Sequence, residues 1–271
     1  MQIHKLKDIL PSGLAGSISC TSDFSGSFQR SWREFRVFEF QTCVSSLDMA
    51  WELMGEGEML PGDSVLCLEQ TGGRGRMRRH WSSPRGNVYA ALKLPVPDSP
   101  EKNRMLSIIV GHSFQRALMS RGVEVFLKWP NDLVVNAGKA GGILIEEKGG
   151  NILAGIGLNL KALPDSRELR EGRLMDPVHL YRAWPGAGPL SAWAELVYRG
   201  HIWYDNILCN YSLIDFISEV KPYLWLVNQK VRVEQNNGVL EGYLQGIDGS
   251  GGIILECSGQ IEHIQAGTLL S

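Results

Sequence analysis

Four short apolar segments separated by tight turns constrain the fold most strongly. The segments are VEVFLKW at 123–129, LVV at 133–135, GILIEE at 142–147 and NILAGIGLNL at 151–160. Proline, asparagine and glycine fill the connections, which are too short for the crossover that parallel neighbours require. The middle of the chain is therefore predicted to form an antiparallel sheet and not a doubly wound parallel sheet.

The segments before this region add strands and helices to the predicted sheet. RVFEF at 36–40, SVLCLE at 64–69 and NVYAALKLP at 87–95 are typical of strands. Ser45 and Ser46 stand where a helix N-cap would be, ahead of LDMAWELM. A helix is predicted over about 101–120, and helical sequence resumes at about 190–219. The apolar face of the helix predicted over 101–120 consists of Leu106, Ile109, Val110, Phe114, Ala117 and Leu118.

The last 50 residues have a different pattern. This region predicts four or five short strands, whose edges a small antiparallel barrel would pair. The strand segments are KVRVE, VLEGYLQGI, GGIILEC and IEHIQ, and Asn237-Gly238 is a hairpin signal. We therefore expect an α+β protein with a mixed, largely antiparallel sheet and packed helices. Its predicted units are a loosely structured lead-in at 1–35, a catalytic domain at 36–222 and a β-barrel at 223–271.

Composition excludes several broad classes of protein. The chain has 27 basic and 29 acidic side chains, so its net charge of -2 gives no reason to expect nonspecific binding to nucleic acid or to a membrane. No apolar run is long enough for a membrane span or a signal peptide, and we expect a cytoplasmic protein. The five scattered cysteines show no CxxC spacing and are predicted to be reduced thiols.

The stretch QTGGRGRMRRHW at 70–81 concentrates positive charge on flexible backbone. It holds four arginines and no acidic side chain. Glycines let main-chain N–H groups approach phosphate or carboxylate oxygens, and the planar guanidinium binds such oxygens in pairs. An exposed, solvated loop is the alternative, but the alternation with glycine at a strand end favours a ligand.

A second cation lies in FLKWPNDLVV at 126–135. Burying the ammonium of Lys128 in an apolar strand is costly without an anionic partner, although a pair with Asp132 would also satisfy it. Lys128 and the arginine loop together suit a ligand with more than one anionic group. Gly155 and Gly157 are interpreted as strand glycines that allow close packing or close approach of a ligand. Signatures of P-loops, dinucleotide sites, metal hydrolases and serine hydrolases are missing from the sequence.

These segments resemble the biotin protein ligase family, also called biotin–acetyl-CoA-carboxylase ligases. The family's loop, approximately Q-T-A-G-R-G-R-x-G-R-x-W, corresponds to 70–81, and its K-W-P-N-D-L segment corresponds to 128–133. K-x-A/G-G-I-L-x-E matches 139–146, and G-I-G-x-N matches 155–159. The four motifs occur in the family's order and spacing, and the resemblance covers about 36–270.

The resemblance implies a catalytic domain like those of class II synthetases, an SH3-like C-terminal barrel and a two-step reaction. Biotin and ATP, with Mg²⁺, would form biotinyl-5′-AMP and pyrophosphate. Biotin would then pass to a lysine of a biotin carboxyl carrier protein domain of a biotin-dependent carboxylase. The short N-terminus lacks the DNA-binding domain of some members, so DNA is not an expected partner. A membrane is not expected either, and a homodimer is left open.

The resemblance also implies roles for individual residues. Lys128 and Arg76 would hold the reacting carboxylate and phosphate oxygens. The biotin-binding set would be Ser45, Ser46, Gln70, Gly73, Arg74, Gly75, Arg76, Lys128, Gly142, Ile143 and Leu144. The residues expected at ATP or the adenylate are Arg76, Arg79, Trp81, Lys128, Asn131 and Asn159.

Two positions depart from the family pattern, and two other functions stay open. Arg78 replaces a glycine and would cost roughly 1–2 kcal/mol if that position needs a positive φ. Leu47 replaces an asparagine and removes a polar group. A lipoate or octanoate ligase or transferase of related fold is the first alternative. The second is a noncatalytic module that binds nucleotide or nucleic acid.

Overall fold

The computed structural model describes residues 1–11, 14, 31–164, 175–236 and 238–270. Two residues of the sequence predictions lie outside these ranges. They are Cys20, predicted to be a reduced thiol, and Asn237, the first residue of the predicted Asn237-Gly238 hairpin turn. Within the described residues, no helix combines the length and apolar character needed to cross a membrane.

An eight-stranded sheet forms the larger part of the molecule. Its strands are β1 (Gln2–Lys5), β2 (Arg36–Phe40), β3 (Ser64–Cys67), β4 (Val88–Leu94), β5 (Phe126–Lys128), β6 (Asp132–Val135), β7 (Gly138–Lys148) and β8 (Asn151–Leu158). Their spatial order is β1-β2-β3-β4-β8-β7-β6-β5. Among these eight described strands, β2 and β3 pair in parallel and the other neighbouring strands pair antiparallel. The predicted antiparallel middle is confirmed, because β8, β7, β6 and β5 pair antiparallel in sequence.

The helices are α1 (Leu6–Ile9), α2 (Ser46–Gly55), α3 (Pro100–Arg104), α4 (Leu106–Met119), α5 (Pro189–Asn210) and α6 (Leu213–Val220). Short 3₁₀ turns occupy Trp32–Glu34, Arg76–Arg78, Tyr181–Ala183 and Lys221–Tyr223. The helix predicted over 101–120 is interrupted at the buried Met105, which ends α3 and precedes α4. Every apolar residue predicted on its inner face is buried.

The two faces of the sheet cover different helices. Because successive strand residues point to opposite faces, Val37 and Leu66 join the large core, which includes α4 and α5, while Phe38 and Val65 pack with α2. The rings of Phe114 from α4 and Trp193 from α5 stack 5.7 Å apart. The sheet is therefore a central layer, and its α2 face carries the cavity described below.

The C-terminal region is a five-stranded antiparallel sheet, as predicted. Its strands are β9 (Lys230–Gln235), β10 (Gly238–Ile247), β11 (Ile253–Cys257), β12 (Gln260–Ile264) and β13 (Thr268–Leu270), in the order β12-β11-β10-β9-β13. The backbone N–H of Trp225 donates to the carbonyl of Leu127 at 2.8 Å. The segment that leads into the C-terminal sheet is thus fixed beside β5.

Two features differ from the sequence predictions. Residues 1–35 are predicted to be loosely structured, yet β1 pairs antiparallel with β2, with Lys5 opposite Arg36. The prediction that all cysteines are reduced is wrong for Cys43 and Cys67, which form a disulfide. The parallel pairing of β2 and β3 brings these residues together, since Phe40, three residues before Cys43, lies opposite Cys67. Cys209 and Cys257 are thiols in the part of the chain that the structure describes.

Candidate active site

A cavity of about 1050 Å³ opens on the α2 face of the sheet. Side-chain alternation shapes its floor. Ile143 and Ile156 belong to the core on the opposite face, whereas Gly142 and Gly157 lie beneath the indole of Trp81. A Cβ on Gly142 would stand 3.2 Å from the Trp81 ring. The glycines therefore leave room above the strands for an aromatic ring.

Residues Gly73–Trp81 close into a hairpin over one side of the cavity, here called the glycine hairpin. Trp81 donates its backbone N–H to the carbonyl of Gly73 at 2.9 Å, and Gly75 donates to Arg79 at 2.8 Å. At the tip, Met77 and Arg78 both have φ near 55°. Because this is the left-handed region, the departure of Arg78 from the family's glycine falls where an L-residue costs roughly 1–2 kcal/mol.

Lys128 and Arg76 bring two cations to the same cavity. The side chain of Lys128 is 7% exposed, and burial lowers its pKa, an effect that Asp132 opposes and Lys139 reinforces. Burial also lowers the pKa of Arg76. Among the described residues, neither cation has an ion pair or side-chain hydrogen bond, and Asp132 is bound to Lys139 at 2.7 Å.

A polar corner lies beside these cations at the start of α2. Ser45 occupies the N-cap position, but its hydroxyl makes no capping hydrogen bond, and Ser45 and Ser46 are only 2% and 4% exposed. The Gln70 amide accepts from the backbone N–H of Ser46 at 2.8 Å and donates to the hydroxyl of Ser83 at 2.9 Å. Buried hydroxyls need partners, so this corner suits a ligand with its own donors and acceptors.

The C-terminal sheet forms the opposite wall of the cavity. The lining residues from this sheet and its connections are Glu234, Gln235, Asn236, His263, Gln265, Ala266, Gly267, Thr268 and Leu269. The indole N–H of Trp129, next to Lys128, donates to the carbonyl of Gly251 at 2.9 Å. Residues of both sheets therefore line the cavity.

Comparison with protein families identifies this architecture. Residues 37–162 match the model described as the biotin/lipoate A/B protein ligase family. Residues 226–268 match the model described as the biotin protein ligase C terminal domain. Together the two models cover more than half of the chain.

The chain belongs to the biotin protein ligase family.

Relatives within the biotin protein ligase family match over most of their length. A biotin–acetyl-CoA-carboxylase ligase of Paracoccus denitrificans is 27% identical over 199 residues, covering 70% of this chain and 82% of that protein. A Mycobacterium tuberculosis protein of the same name is 27% identical, and the match covers 88% of this chain and 89% of that protein. The Aquifex aeolicus biotin protein ligase, in complex with biotin and ATP, superposes with a TM-score of 0.69 at 22% identity. That match covers 86% of this chain and 97% of the other, and it supports the fold.

The structure brings most of the residues predicted from the biotin protein ligase motifs to one cavity. Those that line it are Ser45, Ser46, Gln70, Arg74, Gly75, Arg76, Arg79, Trp81, Lys128, Asn131, Gly142, Ile143 and Leu144. Gly73 and Asn159 do not line it. A Cβ on Gly73 would be 2.5 Å from the Trp81 carbonyl oxygen, so its glycine is required by the hairpin. Asn159 donates its side-chain amide to the carbonyl of Lys139 at 3.2 Å.

Two predicted ligand contacts have protein partners in the structure. Asn131 donates its amide to the carbonyl of Ile143 at 2.8 Å, which fixes the turn after β5. The Arg74 guanidinium is bonded to Asp48 at 2.7 Å and to Glu146 at 3.1 Å. Both side chains therefore have structural contacts in addition to any contact with a ligand.

Sequence reasoning missed the C-terminal wall, and it assigned no ligand contact to Lys139 or Asp132, which also line the cavity. Lys139 and Asp132 stand inside the quoted motifs, and their opposite charges were a usable signal. The side chain of Leu47 packs against Gly155, where an added Cβ would be 2.8 Å from Cδ1. No local pattern places the residues of the C-terminal wall beside the lysine.

Proposed function

We propose that this chain joins biotin to ATP, giving biotinyl-5′-AMP and pyrophosphate, and then transfers biotin to a lysine of a biotin carboxyl carrier domain. The observation that carries the proposal is that Arg76 and Lys128, neither in an ion pair among the described residues, line one cavity together with the buried hydroxyls of Ser45 and Ser46. The Aquifex aeolicus relative binds biotin and ATP, and its fold is the same.

The first step requires two anions to meet. A carboxylate oxygen of biotin attacks the α-phosphorus of ATP, an oxygen–phosphorus bond forms, and the bond to pyrophosphate breaks. Lys128 and Arg76 offset the repulsion between the reactants and the charge that develops on the transferring group. Removal of a fixed donor of this kind typically costs about 10²- to 10³-fold in rate.

The remaining lining residues bind and orient the substrates. Ser45, Ser46 and the fixed amide of Gln70 bond the ureido ring, while Gly142 and Leu144 form the floor under biotin. Trp81 covers the adenylate, with Arg79 and Asn131 at its edge. We assign Asn159 to support of the backbone around Lys139. The glycine hairpin keeps water away from the mixed anhydride.

In the second step, the ε-amine of the carrier lysine attacks the acyl carbon. An amide bond forms, the acyl–phosphate bond breaks and AMP leaves with the electron pair of that bond. Mg²⁺ would be held by the phosphate oxygens of ATP and would offset part of their charge. We place the reaction in the cytoplasm, with residues 36–222 carrying the chemistry and residues 223–271 closing the cavity.

Transfer of labelled biotin to an apo carrier domain tests the proposal. ATP-dependent labelling of the acceptor lysine is expected, and no transfer to a competent acceptor would contradict it. Lipoate and octanoate compete in a parallel assay of pyrophosphate release. If the protein preferred lipoate or octanoate to biotin, its function would instead be that of a lipoate or octanoate ligase.

A further inference from the structure

The ion pairs of Arg74 indicate a role that the ligand-binding motif does not assign. The guanidinium of Arg74 lies between two carboxylates: Nη1 is 2.7 Å from Oδ1 of Asp48, and Nε and Nη2 are 3.2 and 3.1 Å from Oε1 of Glu146. Burial disfavours the charged form, but hydrogen bonds and charges from both carboxylates raise the pKa of Arg74 above its ordinary value. Arg74 is thus committed to the protein, unlike Arg76.

Asp48 and Glu146 belong to different elements. Asp48 is in the first turn of α2, and Glu146 is in β7. The indole N–H of Trp51, also in α2, donates to Oε2 of Glu146 at 2.7 Å. The side chains of Asp48, Trp51, Arg74 and Glu146 therefore form one network, here called the Arg74 clamp, which joins the glycine hairpin to a helix and to the central sheet.

The position of Asp48 has a second consequence. Ser45 and Asp48 have the spacing of an N-cap residue and the residue that completes a capping box. The capping bond of Ser45 is absent, and Asp48 is bonded to Arg74 instead. The ion pair between Asp48 and Arg74 therefore occurs together with a Ser45 hydroxyl that does not cap α2.

Backbone pairing carries the position of Arg74 to the rest of the hairpin. Arg74 and His80 form an antiparallel bridge, and the hydrogen bond from Trp81 to Gly73 closes the hairpin on its other side. In the sequence, Arg76 lies between Arg74 and His80, within the hairpin that these contacts close. Because the clamp holds one strand of the hairpin, it also restrains Arg76 and Trp81.

We propose that Asp48 and Glu146 are positioning residues that act through Arg74 to hold the glycine hairpin over the bound acyl adenylate. They touch neither substrate nor reacting atoms. Loss of either carboxylate loosens the hairpin, so the adenylate escapes and is hydrolysed more readily. This inference rests on the proposed function, but the order of the hairpin can be measured without any reaction.

Neutral variants of matched shape, Asp48→Asn and Glu146→Gln, test the clamp. Glu101→Gln is the control, because it removes a carboxylate from an exposed pair with Arg104 outside the cavity. Limited proteolysis with trypsin, followed by mass spectrometry, measures cleavage after Arg76, Arg78 and Arg79 in the ligand-free protein. Both clamp variants are expected to be cleaved about 10-fold faster than wild type, the effect of weakening one charge-assisted hydrogen bond.

A second measurement separates positioning from general destabilisation. The rate at which preformed biotinyl-AMP leaves the protein is expected to rise about 10-fold in both clamp variants, while their thermal midpoints stay near that of Glu101→Gln. Asp48→Glu, which keeps the charge, is expected to restore slow release. Cleavage and release at wild-type rates in both neutral variants would overturn the inference.

The proposed function fails separately. If wild-type protein forms no adenylate but the clamp variants still expose the hairpin to trypsin, the clamp exists and biotin activation is wrong. If wild-type protein forms adenylate and the variants behave like wild type in both assays, the proposed function stands and the clamp has no positioning role.

Discussion

The indole of Trp81 lies so close to Gly157 that a Cβ on this glycine would be 2.7 Å from Cε2 of the ring. Side chains do not tolerate such a contact, so one methyl group on the floor of the cavity must displace the tryptophan. The indole nitrogen is buried without a hydrogen-bond partner among the described residues. The position of the Trp81 ring thus depends on the absence of a side chain at residue 157, and a substitution there can test this dependence.

Gly157→Ala is expected to raise the KM for ATP about 10-fold, because Trp81 no longer rests on the sheet where it would cover the adenylate. Steady-state pyrophosphate release measures the effect. Gly188→Ala is the control, since a Cβ there meets no atom of another described part of the chain within 4 Å. An unchanged KM for ATP in Gly157→Ala would show that the indole is not part of the nucleotide site.

Lys128→Met is expected to abolish adenylation without weakening the fold. The rate should fall at least about 100-fold, because a fixed cation beside the transferring group is lost. The free energy of unfolding should stay equal or rise by about 1 kcal/mol, since a buried ammonium with no ion pair among the described residues is replaced by an apolar chain of similar length. Urea unfolding and pyrophosphate release measure the two quantities. A parallel loss of activity and stability would instead make Lys128 structural.

The motifs explain why much of this site was predictable. Gln70 to Trp81 and Lys128 to Leu133 are contiguous segments, and strand ends bring both to the cavity. Alternation also predicted the strands, and all six residues on the predicted face of α4 are buried. The glycines at 155 and 157 were predicted to allow close approach, and Gly157 lies against Trp81.

Long-range pairings account for what the sequence did not reveal. Cys43 and Cys67 are 24 residues apart, and the parallel pairing of β2 and β3 helps to bring them within bonding distance. Arg74 meets Glu146 across 72 residues. Neither relationship has a local periodicity or turn signal. The strand β1 was missed for the same reason, because its partner β2 lies about 30 residues later.

The disulfide predicts a labelling pattern. In denaturant without reductant, iodoacetamide is expected to modify Cys209 and Cys257 and to leave Cys43 and Cys67 unmodified. Added reductant should then expose two further sites. Because disulfides are uncommon in the reducing cytoplasm, protein alkylated during lysis should be compared with purified protein. Labelling of Cys43 and Cys67 without reductant in both samples would contradict the bond.

Acid should weaken the C-terminal sheet through Asp248. Burial favours the protonated carboxyl, but hydrogen bonds from Ser250, His263 and Gly252 outweigh it and lower the pKa of Asp248 from 3.8 to about 2. A depressed pKa stabilises the folded state above the unfolded value and loses that contribution as pH falls from about 4 to 2. The contribution is about 2 kcal/mol.

Asp248→Asn makes this contribution measurable. Urea unfolding should show wild type to be more stable than the variant at pH 5, and the difference should shrink by about 2 kcal/mol towards pH 2. The sign follows because protonation of the wild-type carboxyl removes the charge that the variant already lacks. A difference that does not vary between pH 5 and pH 2 would contradict the assignment.

Native mass spectrometry after incubation with biotin and MgATP tests the central claim most directly. Wild-type protein is expected to gain the mass of biotinyl-AMP and to release one pyrophosphate for each adenylate bound. Arg76→Ala and Lys128→Met, folded by circular dichroism, are expected to show neither. If wild-type protein acquires no adenylate mass and releases no pyrophosphate, the convergence of Arg76 and Lys128 does not serve biotin activation.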